Sequence, residues 1–205
     1  MTLIALIGTG RMATGLGTGW TRAGHQVVFG SRTPAEKQHL VASLPAARVT
    51  DYAGALEDAT IVVVTLPYRE VAPFCRNHAA TLRSRLVIDI SNPFDNLPDN
   101  RVAGAEITRD AIGPGARVVA AFKTNFWTTL LTPLNADGIQ RDVFYAGDDE
   151  ADKRIVAGLI ADLGFRPVDC GSLHNARILD GMAPLIIELD NRYGGTWQTT
   201  WKLLP

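Results

Sequence analysis

A chain of 205 residues, 46% of them hydrophobic and 20% charged, has the length and mix of one folded domain, or of one domain with a short appendage. Twenty basic side chains stand against 21 acidic ones, for a formal charge of −1, so no positive excess calls for nucleic acid or an anionic membrane. The apolar start is cut at Gly8, too early for a signal peptide or a membrane span, and the expected location is the cytoplasm. Cys75 and Cys170 form no CxxC, and His25, His39, His78 and His174 are scattered, so the reading is two unlinked thiols and no metal site.

In chain order, residues 3–7 read as a strand, 10–23 as a helix ended by Gly24, and 26–29 as a second strand. Residues 34–44 read as a helix with Thr33 as N-cap and Pro34 at its first position. A short helix is expected over 52–57. The unbroken β-branched run 60–65 reads as a strand buried on both faces. Then come a helix over 69–82, a strand over 86–90 and a loop over 92–100. A helix over 103–112 and the Gly113-Pro114-Gly115 turn lead to a strand over 117–122. The strand 143–146 is followed by an amphipathic helix over 149–163, acidic in its first turn and capped by Gly164. A strand over 166–168 and a long helix over 175–192 close the pattern. Strands alternating with helices predict an α/β, Rossmann-type, doubly wound and mostly parallel sheet with a small C-terminal helical segment. The expected division is a nucleotide-binding domain over 1–140 and a strand–helix extension over 141–205 packed on it.

Gly8-Thr9-Gly10-Arg11-Met12-Ala13 is a GxGxxA sequence with a strand before it, a helix through it and a second strand about twenty residues on. Gly8 permits the tight turn, Gly10 lets a pyrophosphate approach the backbone, and Ala13 lets helix and strand pack closely. The helix N-terminus offers N–H groups to phosphates. After the second strand an NAD enzyme keeps an acid for the ribose hydroxyls, whereas this chain has Gly30-Ser31-Arg32-Thr33. Arg32 can stack on adenine and pair with a 2′-phosphate, Ser31 and Thr33 can donate to it, and Lys37 adds charge. The cofactor expected is NADP(H), and the chain is read as an NADPH-linked oxidoreductase.

Thr65-Leu66-Pro67 and Ser91-Asn92-Pro93 end strands that should border the same crevice, as walls along the pyrophosphate and nicotinamide. No acid–base pair stands out, and no catalytic residue is assigned. Hydride transfer between stacked rings needs little beyond proximity and a dry site. Lys123, His174 and Arg177 are the polar candidates near strand ends, each more often a solvated or capping residue. Trp127, Trp197 and Trp201 are read either as an aromatic wall or as packing.

The sequence resembles the F420-dependent NADP reductases over nearly its whole length. The likeness lies in the GTGRMATG start, GSR after the second strand, TLPY, the SNP turn, GARVVAAFKTNF, GDDEADK, and GFRPVDCGSLHNAR. Ferric reductase domains of transmembrane metalloreductases look similar over the same length. The GxGxMA start also resembles pyrroline-5-carboxylate reductase, which ends in several long helices where this chain has one. The first resemblance implies a homodimer and hydride transfer between the nicotinamide and coenzyme F420 or a flavin-like acceptor. It implies phosphate contacts at Thr9, Ser31 and Arg32, with Lys37 about one residue from its usual place. Many relatives read KAFNT where this chain has Ala120-Ala121-Phe122-Lys123-Thr124, so a lysine stands in the asparagine's place near the acceptor. Two alternatives stay open: NADPH reduction of a small imine, carbonyl or ferric chelate, and a non-catalytic NADPH-binding regulatory protein.

Overall fold

The computed structural model describes residues 2–94 and 102–204. The part of the expected 92–100 loop from 95 onward lies outside the described residues. Eight strands form one sheet: β1 (Leu3–Ile7), β2 (Gln26–Gly30), β3 (Ala47–Thr50), β4 (Ile61–Val64), β5 (Leu86–Asp89), β6 (Arg117–Ala121), β7 (Asp142–Gly147) and β8 (Arg166–Asp169), in the order β3-β2-β1-β4-β5-β6-β7-β8. All neighbours run parallel except β6 and β7. The Rossmann-type sheet is therefore as the alternation of elements predicts. Among the described residues the α-helices are α1 (Arg11–Arg22), α2 (Tyr52–Leu56), α3 (Tyr68–Asn77), α4 (Ala79–Leu82), α5 (Gly104–Ile112), α6 (Glu150–Asp162) and α7 (Ala176–Tyr193).

The sheet is apolar on both faces. β4 is Ile-Val-Val-Val with every residue buried, since β-branched side chains fit a pleated surface covered from both sides. One core packs α1 and α6 on Leu6, Phe29, Val63 and Ile88, and the other packs α2, α3, α5 and the start of α7 on Ile7, Val28, Val62 and Val87. Helix and strand approach closely at Gly17, where a Cβ would lie 2.4 Å from Phe29 and 2.8 Å from Leu6. Among the described residues no helix is long and apolar enough to cross a membrane.

The structure corrects several boundaries. Residues Pro34–Val41 form a 3-10 helix with no buried residue, so no apolar face stabilises an α-helix there. Thr33 makes no side-chain cap; its N–H instead donates to Ser31 Oγ at 3.1 Å. The edge strand β3 was not expected, because four residues with only Val49 buried carry little periodic signal. The expected helix over 69–82 is two helices, broken at His78, whose ring lies 4.7 Å from that of Phe74.

Two features direct the chain to the carboxyl edge of the sheet. β1 lies between β2 and β4, so connections leave it in opposite directions and open a crevice above β1 and β4. α7 begins on one face, where Ala176 and Leu179 join the core with α5. Its far end is tied by Asp190 to the 197–199 segment, whose Trp197 carbonyl accepts a hydrogen bond from Thr128, just beyond β6.

Candidate functional site

The crevice is a cleft of about 1260 Å³ along the carboxyl ends of β1, β2, β4, β5 and β6. That exceeds the usual span of a drug-sized pocket and suits an extended ligand, or two ligands side by side.

At its start the chain leaves β1 through Gly8, whose φ of +125° suits glycine, and whose added Cβ would sit 2.5 Å from Thr65 Oγ1. Thr65 closes the turn by donating from its hydroxyl to the Ile7 carbonyl at 2.7 Å. Gly10 is the N-cap of α1, and a Cβ there would meet nothing within 4 Å, so backbone faces open cleft. No side chain caps α1 and no acid stands in its first turn, which leaves N–H donors and the positive dipole end for an anion. Thr9 and Met12 line the cleft beside these glycines; Ala13 is fully buried against the sheet. Arg11 turns away and lies over the Trp127 ring at 4.7 Å.

Ser31, Arg32, Thr33 and Lys37 gather at one end of the cleft. Ser31 Oγ accepts from Thr33 N–H, so its own hydroxyl proton is directed elsewhere. The Arg32 side chain is 73% exposed, and its Nη1 lies 3.7 Å from Glu70, a loose surface pairing. Arg32 also borders a second hollow of about 440 Å³ with Tyr52, Leu66 and Arg69. Tyr52 and Glu70 were not singled out in the sequence, since neither belongs to the glycine motif.

Further along, Thr65, Leu66, Pro67, Ser91 and Asn92 line the cleft, while Pro93 is buried behind it. Asn92 Nδ2 donates to the Lys123 carbonyl at 2.8 Å, and its buried Oδ1 has no hydrogen-bond partner. Among the described residues that oxygen is left as a free acceptor on the cleft wall.

Beneath this wall lies a buried charge cluster. Phe122 ends β6 in the left-handed region (φ 56°), unusual for a non-glycine residue, and the chain turns so that the Lys123 side chain is wholly enclosed. Its Nζ lies 2.9 Å from Asp180 on α7 and 3.7 Å from Asp89 at the end of β5, and donates to the Ser91 carbonyl. Asp89 also accepts from Ser91 N–H (2.7 Å), Ser91 Oγ (2.7 Å) and Thr108 Oγ1 (2.6 Å), and Asp180 accepts from Gly104 N–H (2.8 Å). Burial alone would pull the lysine down, but the two carboxylates outweigh it and hold the ammonium above its ordinary value. Lys123 is thus no solvated side chain but a locked cation joining β5, β6 and α7. Tyr68, on the cleft wall nearby, has its phenol pushed up by burial and by Asp180 and Asp89, so it stays protonated. Asp89, Asp180 and Tyr68 were missed because only tertiary contact joins them. His174 faces Glu106 at 3.5 Å, and neither it nor Arg177 lines the cleft.

The far end is aromatic and aliphatic: Phe126, Trp127 and Trp197 meet Ala183, Ile186 and Ile187 of α7. Trp127 and Trp197 pack with centroids 4.9 Å apart, so two of the three expected wall tryptophans come together. Trp201 lies half-buried away from the cleft.

Comparison with known proteins finds relatives among NADP-linked reductases. The family model for "NADP oxidoreductase coenzyme F420-dependent" matches residues 3–93. The F420-dependent NADP reductase of Methanothermobacter thermautotrophicus is 28% identical over 94% of this chain and 90% of its own length. Metalloreductase STEAP3 of Rattus norvegicus is 29% identical over 87% of the chain, which spans only 36% of that longer protein. A crystal structure from Arthrobacter sp. FB24, proposed to be an F420-dependent NADP reductase, superposes with a TM-score of 0.91 at 25% identity over all of both chains.

Proposed function

We propose that this chain, a relative of the F420-dependent NADP reductases and an NADP-dependent oxidoreductase, transfers a hydride between NADP(H) and a deazaflavin or flavin-like acceptor. The observation that carries the reading is one continuous cleft with Ser31, Arg32, Thr33 and Lys37 at one end and an aromatic wall at the other. The gap at Gly10 and the uncapped start of α1 fit the diphosphate. Ser31, Arg32, Thr33 and Lys37 fit the 2′-phosphate, and the guanidinium fits the adenine. Leu66, Pro67 and Ser91 flank the place for the nicotinamide, and the unpartnered Asn92 oxygen suits its carboxamide N–H.

When bound, NADP(H) supplies or accepts two electrons and a proton as hydride. The chain's own residues bind, orient and keep water out. Trp127, Trp197, Ile186 and Ile187 present apolar surface where the acceptor ring would lie, and a dry site strengthens each polar contact within it. Lys123 is held by Asp180 and Asp89, so its part is to fix the wall rather than to deliver a proton. The same reading takes residues 1–140 as the nucleotide-binding part and 141–205 as its extension. It takes the working form as a cytoplasmic homodimer, with the exposed Ile178 and Leu185 of α7 available for an interface.

The test is Arg32→Ala. It should weaken NADPH about tenfold more than NADH, the loss of about 1.4 kcal/mol of charge-assisted contact, since the two nucleotides share only the adenine stacking on Arg32. Equal losses for both nucleotides would refute the phosphate assignment. Reduction of F420 or flavins, followed near 420 nm for F420, tests the acceptor. NADPH oxidation by imines, carbonyls or ferric chelates alone would move the assignment to a different reductase.

A further inference from the structure

We infer that Trp197, carried by the C-terminal strap, is the face against which the hydride acceptor stacks, and that it selects an acceptor by its flat conjugated ring. The inference rests on the cleft being the reductase site proposed above.

Beyond α7 the chain turns at Gly194 and Gly195 and returns to the cleft. It is fastened on both sides of the tryptophan. Asp190, 1% exposed, accepts from Trp197 N–H (2.9 Å), Thr199 N–H (3.2 Å) and Thr199 Oγ1 (2.6 Å). Thr128 donates its hydroxyl to the Trp197 carbonyl, and Arg141 holds the Gln198 carbonyl (2.9 Å) and side-chain oxygen (3.0 Å). A buried carboxylate and a partly buried guanidinium are a large outlay for a tail without regular structure.

The fastening holds an unfavourable backbone. Trp197 has φ 55°, a left-handed conformation that bulky residues rarely adopt, and such conformations persist where the surroundings over-determine them. A tryptophan needed only for burial has no use for that. Trp197 nonetheless remains half-exposed. It packs at 80° and 5.2 Å on Phe126 and at 41° and 4.9 Å on Trp127, and it borders the cleft. That leaves indole surface available to a ligand ring.

Charge cannot do the same selecting. Among the described residues at this end of the cleft, the lining cation is Lys123, which is enclosed and bound by two carboxylates. Arg11 lies over the Trp127 ring at 4.7 Å and is not among the residues that line the cleft. Recognition therefore falls to stacking, which is sequence- and substituent-tolerant and worth about tenfold in affinity per ring.

The experiment compares Trp197→Leu, which keeps an apolar side chain without a ring, with Trp197→Phe, which keeps a flat face. Riboflavin and FMN are titrated into the full chain saturated with NADP⁺, reading flavin fluorescence. NADPH oxidation by the same flavins and by F420 is followed separately. Trp197→Leu should weaken ring binding and raise the acceptor KM about tenfold, with NADPH affinity within about twofold; Trp197→Phe should stay within about threefold of the parent. Equal acceptor binding in the Leu and Phe variants overturns the inference, as does loss of NADPH affinity in step with the acceptor. A parent chain that oxidises NADPH with imines or chelates yet binds no ring also overturns it, while leaving the nucleotide assignment standing. Failure of the parent to bind NADPH sinks the proposed function itself, and flavin fluorescence on the chain without nucleotide still reads the Trp197 face.

Discussion

At the adenosine end of the cleft, the groups a nucleotide needs come mostly from two short stretches, residues 8–13 and 30–37, each following a strand of the same sheet. At the acceptor end the walls come from β4, β5 and β6 exits, from α7 and from the strap, and they are held by bonds such as Lys123–Asp180 and Asp190–Trp197. The first end is local, and its outermost side chains, such as Arg32, are exposed, so these can change without disturbing the fold, whereas Gly8 and Ala13 are fixed by packing. The second is assembled across the chain around buried charge, so its residues support both site and structure.

Mutations can break this contrast. The largest effect should follow Lys123→Met, which leaves Asp180 buried without its ion pair and should cost about 3–5 kcal/mol in urea unfolding. Adding Asp180→Leu should recover part of that loss, because the two residues are in contact and their effects are not additive, while Asp89 still lacks its cation and the Gly104 N–H its acceptor. If single and double variants unfold alike, the pair is not what fixes α7. Gly10→Val should do the reverse. Its Cβ meets open cleft, so stability should hold within about 1 kcal/mol. NADPH affinity should fall roughly a hundredfold, about 2.7 kcal/mol, as the side chain fills the diphosphate's approach. A normal NADPH Kd in this variant would place the diphosphate elsewhere.

The glycine motif and the residues after β2 were legible in the sequence because their meaning is set by neighbours within a few positions of a strand end. The sheet was legible for the same reason: runs such as Ile61–Val64 announce burial on both faces. The acceptor end was not. Nothing near Asp89 or Asp180 indicates that they share one lysine, and nothing in Ala121-Phe122-Lys123 signals a left-handed turn, because the residue adopting it is a phenylalanine. The contacts that order the tail were not legible either: only the fold shows that Asp190, Asp142, Arg141 and Thr128 hold it.

The two carboxylates sharpen the comparison at smaller scale. Burial pushes both upward, but hydrogen bonds from Thr199 and Trp197 to Asp190, and from Arg166, Lys202 and Leu203 to Asp142, outweigh it and hold both below the ordinary 3.8. A depressed carboxylate stabilises the folded strap above its unfolded value, and that stability is lost as pH falls through the folded one. Acid below about pH 3.8 should therefore free the strap, seen as faster amide exchange at Trp197 and Thr199, while amides of β1 and β4 stay protected. Simultaneous exchange of strap and sheet would mean that the tail is no separate clamp.

The claim beneath all of this is that Ser31, Arg32, Thr33 and Lys37 read a phosphate on the adenosine ribose. Calorimetric titration of the unmodified chain with NADPH and with NADH tests it most directly. NADPH should bind at least about tenfold tighter, the worth of one charge-assisted contact. Equal affinity, or preference for NADH, would contradict it.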